Sequence, residues 1–139
     1  MSSRVTTYNP RQVTCSLDNS HIVSGFADDS FISVEPQGDG TSVVQGCDGE
    51  VARSIDPSNM YTVKLSLLQN SETNAWLQSK YDQDKTDGGG TFSVAINDVL
   101  GAEKFNGAVA WVSKNASWAR GKAQGNREWE ITVADGSFT

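Results

Sequence analysis

His21 is the only histidine in the chain, so a Ser-His-Asp or Cys-His site would have to be built on it. It follows a turn signal in a hairpin pattern, and no nucleophile-elbow motif occurs elsewhere. It therefore reads as a solvent-facing strand residue. Asp28 and Asp29 could form a carboxylate pair, but adjacent side chains in extended chain point apart, and a turn role suits them better. Asp82-Gln83-Asp84-Lys85-Thr86-Asp87-Gly88 has the oxygen-rich look of a calcium loop. Its glycine does not fall at the sixth position, however, and the twelfth residue is Ser93 rather than Glu, so a solvated turn is expected. Gly88-Gly89-Gly90 has neither the GxGxxG spacing nor the following Lys-Ser/Thr of a phosphate loop. Cys15 and Cys47 have no CxxC or Cys/His spacing and read as small buried residues rather than a disulfide or metal ligands. Asn115-Ala116-Ser117 is a glycosylation sequon read as coincidental, because Met1–Arg11 is polar and lacks the apolar stretch of a secretory signal. No enzyme and no cofactor site emerge from these residue types.

The elements that would position any site are short strands. Tyr61, Val63, Leu65 and Leu67 alternate with polar residues, which puts four apolar side chains on one sheet face. Asn70 or Ser71 can then cap a helix over about 71–82. Glu72 sits in its first turn, and Trp76, Leu77 and Tyr81 follow at helical spacing, with Trp76 as the expected anchor. Upstream, Val13–Leu17 and His21–Gly25 flank the turn Asp18-Asn19-Ser20, and Phe31–Glu35 ends at Pro36. Downstream, Asp82–Gly90 reads as a loop and Phe92–Ile96 as a strand. Asn97–Gly101 reads as a turn, and Phe105–Val112 as a strand that Gly107 weakens or bulges. Lys114–Asn126 is a polar, Gly-rich surface loop, Trp129–Val133 a last strand and Ala134–Thr139 a tail. The sum is a mainly β chain, a sandwich or barrel of eight or nine short strands with one flanking helix. At 139 residues it makes one domain, with Met1–Pro10 as an N-terminal arm.

Two stretches are unusual. Ser42–Gln45 and Val51–Ile55 flank Gly46-Cys47-Asp48-Gly49, with Asp-Gly as the turn signal, yet Val43, Val44, Val51 and Ile55 are almost the whole apolar content of this extended hairpin. A hairpin that buries so little is marginal unless something covers it, so it reads either as a partner surface or as an ordinary edge hairpin. Trp118 differs from Trp76, Trp111 and Trp129 in lying in a polar loop rather than on a periodic element. Exposed, it suits a protein interface or a sugar-binding platform. The formal net charge of -6 argues against a chain that grips nucleic-acid phosphates. The longest apolar run, Ala108–Val112, is far short of a membrane span, so a soluble chain made in a reducing cytosol, with no membrane anchor, is expected.

Val44–Ser54, then Val63–Asn74, resembles the middle of the tail tube proteins of contractile phage tails. So does Asn97–Gly101 followed by Ala108–Val112, and Arg127–Val133 is similar to the family's final strand. The likeness covers Phe31 to Val133. It implies a structural subunit whose six copies close a ring. Rings stack into a tube inside a contractile sheath, as in related bacteriocins and type VI secretion tubes, and DNA leaves through the lumen. The implied partners are other copies of the chain, the sheath, the baseplate or initiator and the tail terminator, in the virion tail. Candidate inter-subunit contacts are Val43, Val44, Cys47, Asp48, Glu50, Arg53 and Trp118; candidate lumen residues are Asp48, Glu50, Asp82, Asp84 and Asp87. The alternative is a small β-sandwich carbohydrate-binding module using Trp118.

Overall fold

In the computed structural model the described residues are 9–10, 13–27, 31–38, 40–98, 103–121 and 125–138. They form ten strands and one helix: β1 Val13–Leu17, β2 His21–Ile22, β3 Ile32–Pro36, β4 Thr41–Gln45, β5 Val51–Ile55 and β6 Tyr61–Leu68 come first. Helix α1, Glu72–Asp87, follows, and then β7 Phe92–Asp98, β8 Glu103–Lys114, β9 Asn126–Val133 and β10 Gly136–Phe138. Every pairing is antiparallel, and the main sheet runs β2-β1-β7-β8-β9-β6-β3, with β10 beside β8. The segment after β2 joins the two ends of that path. Val23 N–H donates to Cys15 on β1, Ala27 N–H donates to Ser66 on β6, and Leu68 N–H of β6 donates to Gly25. The expected barrel-like closure is therefore made by irregular chain.

Alternation explains the core. Val63, Leu65 and Leu67 of β6 and Trp129, Ile131 and Val133 of β9 are fully buried, joined by Cys15, Leu17, Val94, Phe105, Ala110 and Leu77. Arg127 lies two residues before Trp129 and stacks over its ring, 4.9 Å to the centroid. β8 is the long spine: β7 pairs along one edge, and β9 then β10 along the other. Its register with β7 shifts between Phe92 and Val94. Gly107 stands where the sequence predicts a weak point, because a Cβ there would collide with Val133.

The structure corrects several expectations. The helix does not stop near residue 82, and Asp82–Asp87 belongs to it rather than to a loop. Ser71 caps it, accepting from Thr73 N–H, and Gly88 ends it in the left-handed conformation (φ 72°) with its N–H on Asp84. Within the added turn, Gln78 bonds Asp82 and Thr86 Oγ1 donates to the Asp82 carbonyl. The tail is also more than a tail: Gly136–Phe138 pairs with Phe105–Gly107, and Phe138 joins an aromatic cluster with Tyr61 and Phe105. Asp28, Asp29, Val99–Gly101 and most of the N-terminal arm lie outside the described residues.

Candidate functional site

Among the described residues no catalytic geometry assembles around the chemically versatile groups. His21 is half-buried rather than solvent-facing. Its Nε2 lies 3.0 Å from Thr73 Oγ1, and its ring stacks on Trp76 at 5.0 Å. Thr73 Oγ1 also accepts Ser24 N–H, so His21 helps clamp the start of α1 to the closing segment. Sequence reasoning misses this clamp because His21 and Thr73 are 52 residues apart. The helix anchor is equally polar. Trp129 Nε1 donates to buried Asn74 Oδ1 (2.9 Å), and Asn74 Nδ2 donates to the carbonyls of Leu68 and Gln69. Trp76, the expected anchor, is only half-buried, whereas Thr73, Asn74 and Leu77 are buried. Trp111 is likewise half-buried.

Cys15 is buried, as expected, and burial pushes its thiol from 9.0 up to about 12. Cys47 corrects the sequence reading: it is exposed, at the turn of the β4–β5 hairpin. Among the described residues no group of three or more His, Cys, Asp or Glu side chains could hold a metal ion. None of their helices is long and apolar enough to cross a membrane.

What remains is surface. β4 and β5 form a separate two-stranded sheet that pairs Thr41 with Ile55 through Gln45 with Val51. The pairing carries on from the β3–β6 ladder through Gln37 N–H to Met60 and Asp56 N–H to Gly40. Its turn is held by Gly46 N–H on Glu50, Gly49 N–H on Gly46 and Glu50 N–H on Asp48 Oδ1. Every residue of the arms is exposed, including Val43 (62%), Val44 (68%), Val51 (63%) and Ile55 (69%). The candidate residues Val43, Val44, Cys47, Asp48, Glu50 and Arg53 are thus gathered on one projecting element. Trp118, also exposed (66%), is not with them. It sits in the chain after β8, with the Arg120 guanidinium 4.4 Å from its ring centroid. The five lumen candidates also fall into two groups, Asp48 and Glu50 on the hairpin and Asp82, Asp84 and Asp87 on the last turns of α1.

Strand direction separates these surfaces. β3 ends and β6 begins where the hairpin leaves; β6 ends at the start of α1, and β8 ends and β9 begins around the Trp118 loop. The hairpin therefore leaves one end of the barrel, and the Trp118 loop and the start of α1 sit at the other.

No family model matches the chain. "Structural protein ORF10" of Pseudomonas phage KPP10 is 27% identical over 145 residues, covering 99% of this chain and 84% of that protein. The fold is shared with the tube terminating cap of the anti-feeding prophage (TM-score 0.68, 10% identity), covering 100% of this chain and 95% of that one. It is also shared with the sheath/tube terminator of an extracellular contractile injection system, PVC, in its extended state (TM-score 0.58, 7% identity, 99% of each chain).

Proposed function

We propose that this chain is the structural subunit of the inner tube of a contractile phage tail, closing into six-membered rings that stack into a conduit for DNA. The observation that carries the reading is the β4–β5 hairpin. It places four large apolar side chains in water and contributes none of them to the core, which is explained if a neighbouring copy covers them. The full-length fold shared with two terminating components of contractile systems supports it, as does the phage structural protein that is 27% identical. Open sheet edges fit as well, since a head-to-tail contact makes a closed ring when its rotation closes. In such a particle the sheath, the baseplate or initiator and the tail terminator would be the neighbours. A wall biased towards acids, as the net charge of -6 allows, would keep DNA from adsorbing. Replacing Asp82, Asp84 and Asp87 by Lys is expected to slow DNA ejection; unchanged ejection kinetics would remove these three residues from the lumen.

A second reading is favoured by the two shared folds: the chain caps the tube instead of building it. The carbohydrate-module reading is weaker, because Arg120 lies over a face of Trp118 that a sugar would need. Negative-stain electron microscopy across a concentration series separates the three. Stacked rings of growing length support the tube subunit, and single rings that never stack support the cap. Monomers whose Trp emission shifts on titration with oligosaccharides would sink both.

A further inference from the structure

Resting on the reading that copies stack, we infer that the tip of the β4–β5 hairpin of one copy docks on the Trp118–Arg120 platform at the opposite end of the next copy. A head-to-tail contact is heterologous: it needs two different surfaces, at opposite ends, that complement each other. The hairpin and the platform are such a pair. The hairpin projects its five-residue arms about 17 Å and carries Glu50 at its turn. Among the described residues the Glu50 carboxylate has no hydrogen bond or ion pair, and Asp48 beside it is used to hold the turn. The platform has the opposite character. Arg120 is exposed and, among the described residues, hydrogen-bonds only the adjacent Ala119 carbonyl, while Arg127 donates to the Ala116 carbonyl of the same loop.

Among the described residues neither arginine has a carboxylate partner. The ion pair seen among the described residues, Lys64–Glu35 at 4.0 Å, is elsewhere. Arg127 keeps a buried Nε without a hydrogen-bond partner, and its pKa is lowered by burial and then by the nearby Arg120 charge. A carboxylate arriving at Arg120 would relieve that repulsion and make a charge-assisted bond at a planar guanidinium. Alongside it, Val51, the apolar side chain nearest the tip on the hairpin face it shares with Val43 and Ile55, would cover the exposed face of Trp118.

The test joins the two ends chemically. Cys47 is exposed at the tip, Cys15 is buried, and Ala119 is exposed between Trp118 and Arg120. Treated with a short bismaleimide, the Ala119→Cys chain should give a ladder of linked copies, and the same chain carrying Cys47→Ser should not. Arg120→Glu and Glu50→Arg should each raise the concentration needed for stacking by about tenfold, and combining them should restore stacking. Circular dichroism checks that each variant is folded. Stacked rings without a ladder, or stacking indifferent to both charge reversals, would overturn this contact and leave the tube reading intact. A chain that stays monomeric and unlinked at every concentration overturns both.

Discussion

β6 and the β4–β5 hairpin each carry four Val, Leu or Ile residues, alternating in β6 and spread more thinly in the hairpin, and they end in opposite environments. Val63, Leu65 and Leu67 reach complete burial, while Val43, Val44, Val51 and Ile55 all stay more than 60% exposed. β6 is held by side-chain burial on top of its ladders to β3 and β9. The hairpin is held by its own ladder and by an Asp-Gly turn in which Gly49 adopts φ 91°. Apolar content alone therefore does not identify core. Only where the ladder continues into a sheet with a second layer does a valine become internal.

The sharpest way to break this comparison is substitution on its buried side. Leu65→Ala should destabilise the monomer by about 3 kcal/mol, read as a lower urea midpoint with unchanged slope. Gly107→Ala, which forces a methyl group onto Val133, should cost roughly 1–3 kcal/mol. Trp129→Phe keeps most of the ring but leaves Asn74 Oδ1 buried and unpaired, for a loss of about 1–3 kcal/mol. On the exposed side, Val44→Ser should move the monomer by less than about 0.5 kcal/mol while weakening assembly. A large loss of monomer stability there would show that the hairpin packs on its own domain.

The cysteines extend the contrast to pH. Native Cys15 holds its proton from 9.0 up to about 12, whereas the unfolded thiol ionises nearer 9.0. Its contribution to stability is therefore complete below about 9 and is lost as the pH rises through about 12. Replacing Cys15 by Ala should flatten that part of the stability profile. Under native conditions iodoacetamide should label Cys47 and spare Cys15.

Much of the fold was legible because each strand announces itself locally. The β6 alternation, the Asp18-Asn19 turn with both residues at positive φ, and the Asp-Gly hairpin all need only neighbours in sequence. The far end of α1 was not legible, because Asp82–Asp87 has no apolar period. Its helical state comes from the Gly88 cap and from two side-chain bonds one turn apart, Gln78 to the Asp82 carboxylate and Thr86 Oγ1 to the Asp82 carbonyl. β10 was missed for a similar reason: three residues carry no pattern, and their strand exists only through the contact of Phe138 with Tyr61 and Phe105. Of the candidate surface, the hairpin residues and Trp118 could be named from sequence. The pairing of Arg120 with Trp118, and the proximity of Arg127, could not, since both depend on how the loop after β8 folds back.

Pro36 has a consequence for how copies can add to one another. Flanking β3, the Phe31 carbonyl accepts from Ser66 N–H of β6 and Gln37 N–H donates to Met60 just before it, so the alternation turns the main-chain groups of Ile32, Val34 and Pro36 outward. An added strand would find N–H donors at Ile32 and Val34 and none at Pro36, which has no amide hydrogen. The free edge therefore works like a ruler with a stop. A neighbour can be seated at one offset over a short length, but the edge cannot propagate an endless backbone zipper. If copies add to one another as proposed, that stop favours polymerisation that terminates in a closed ring over fibril growth.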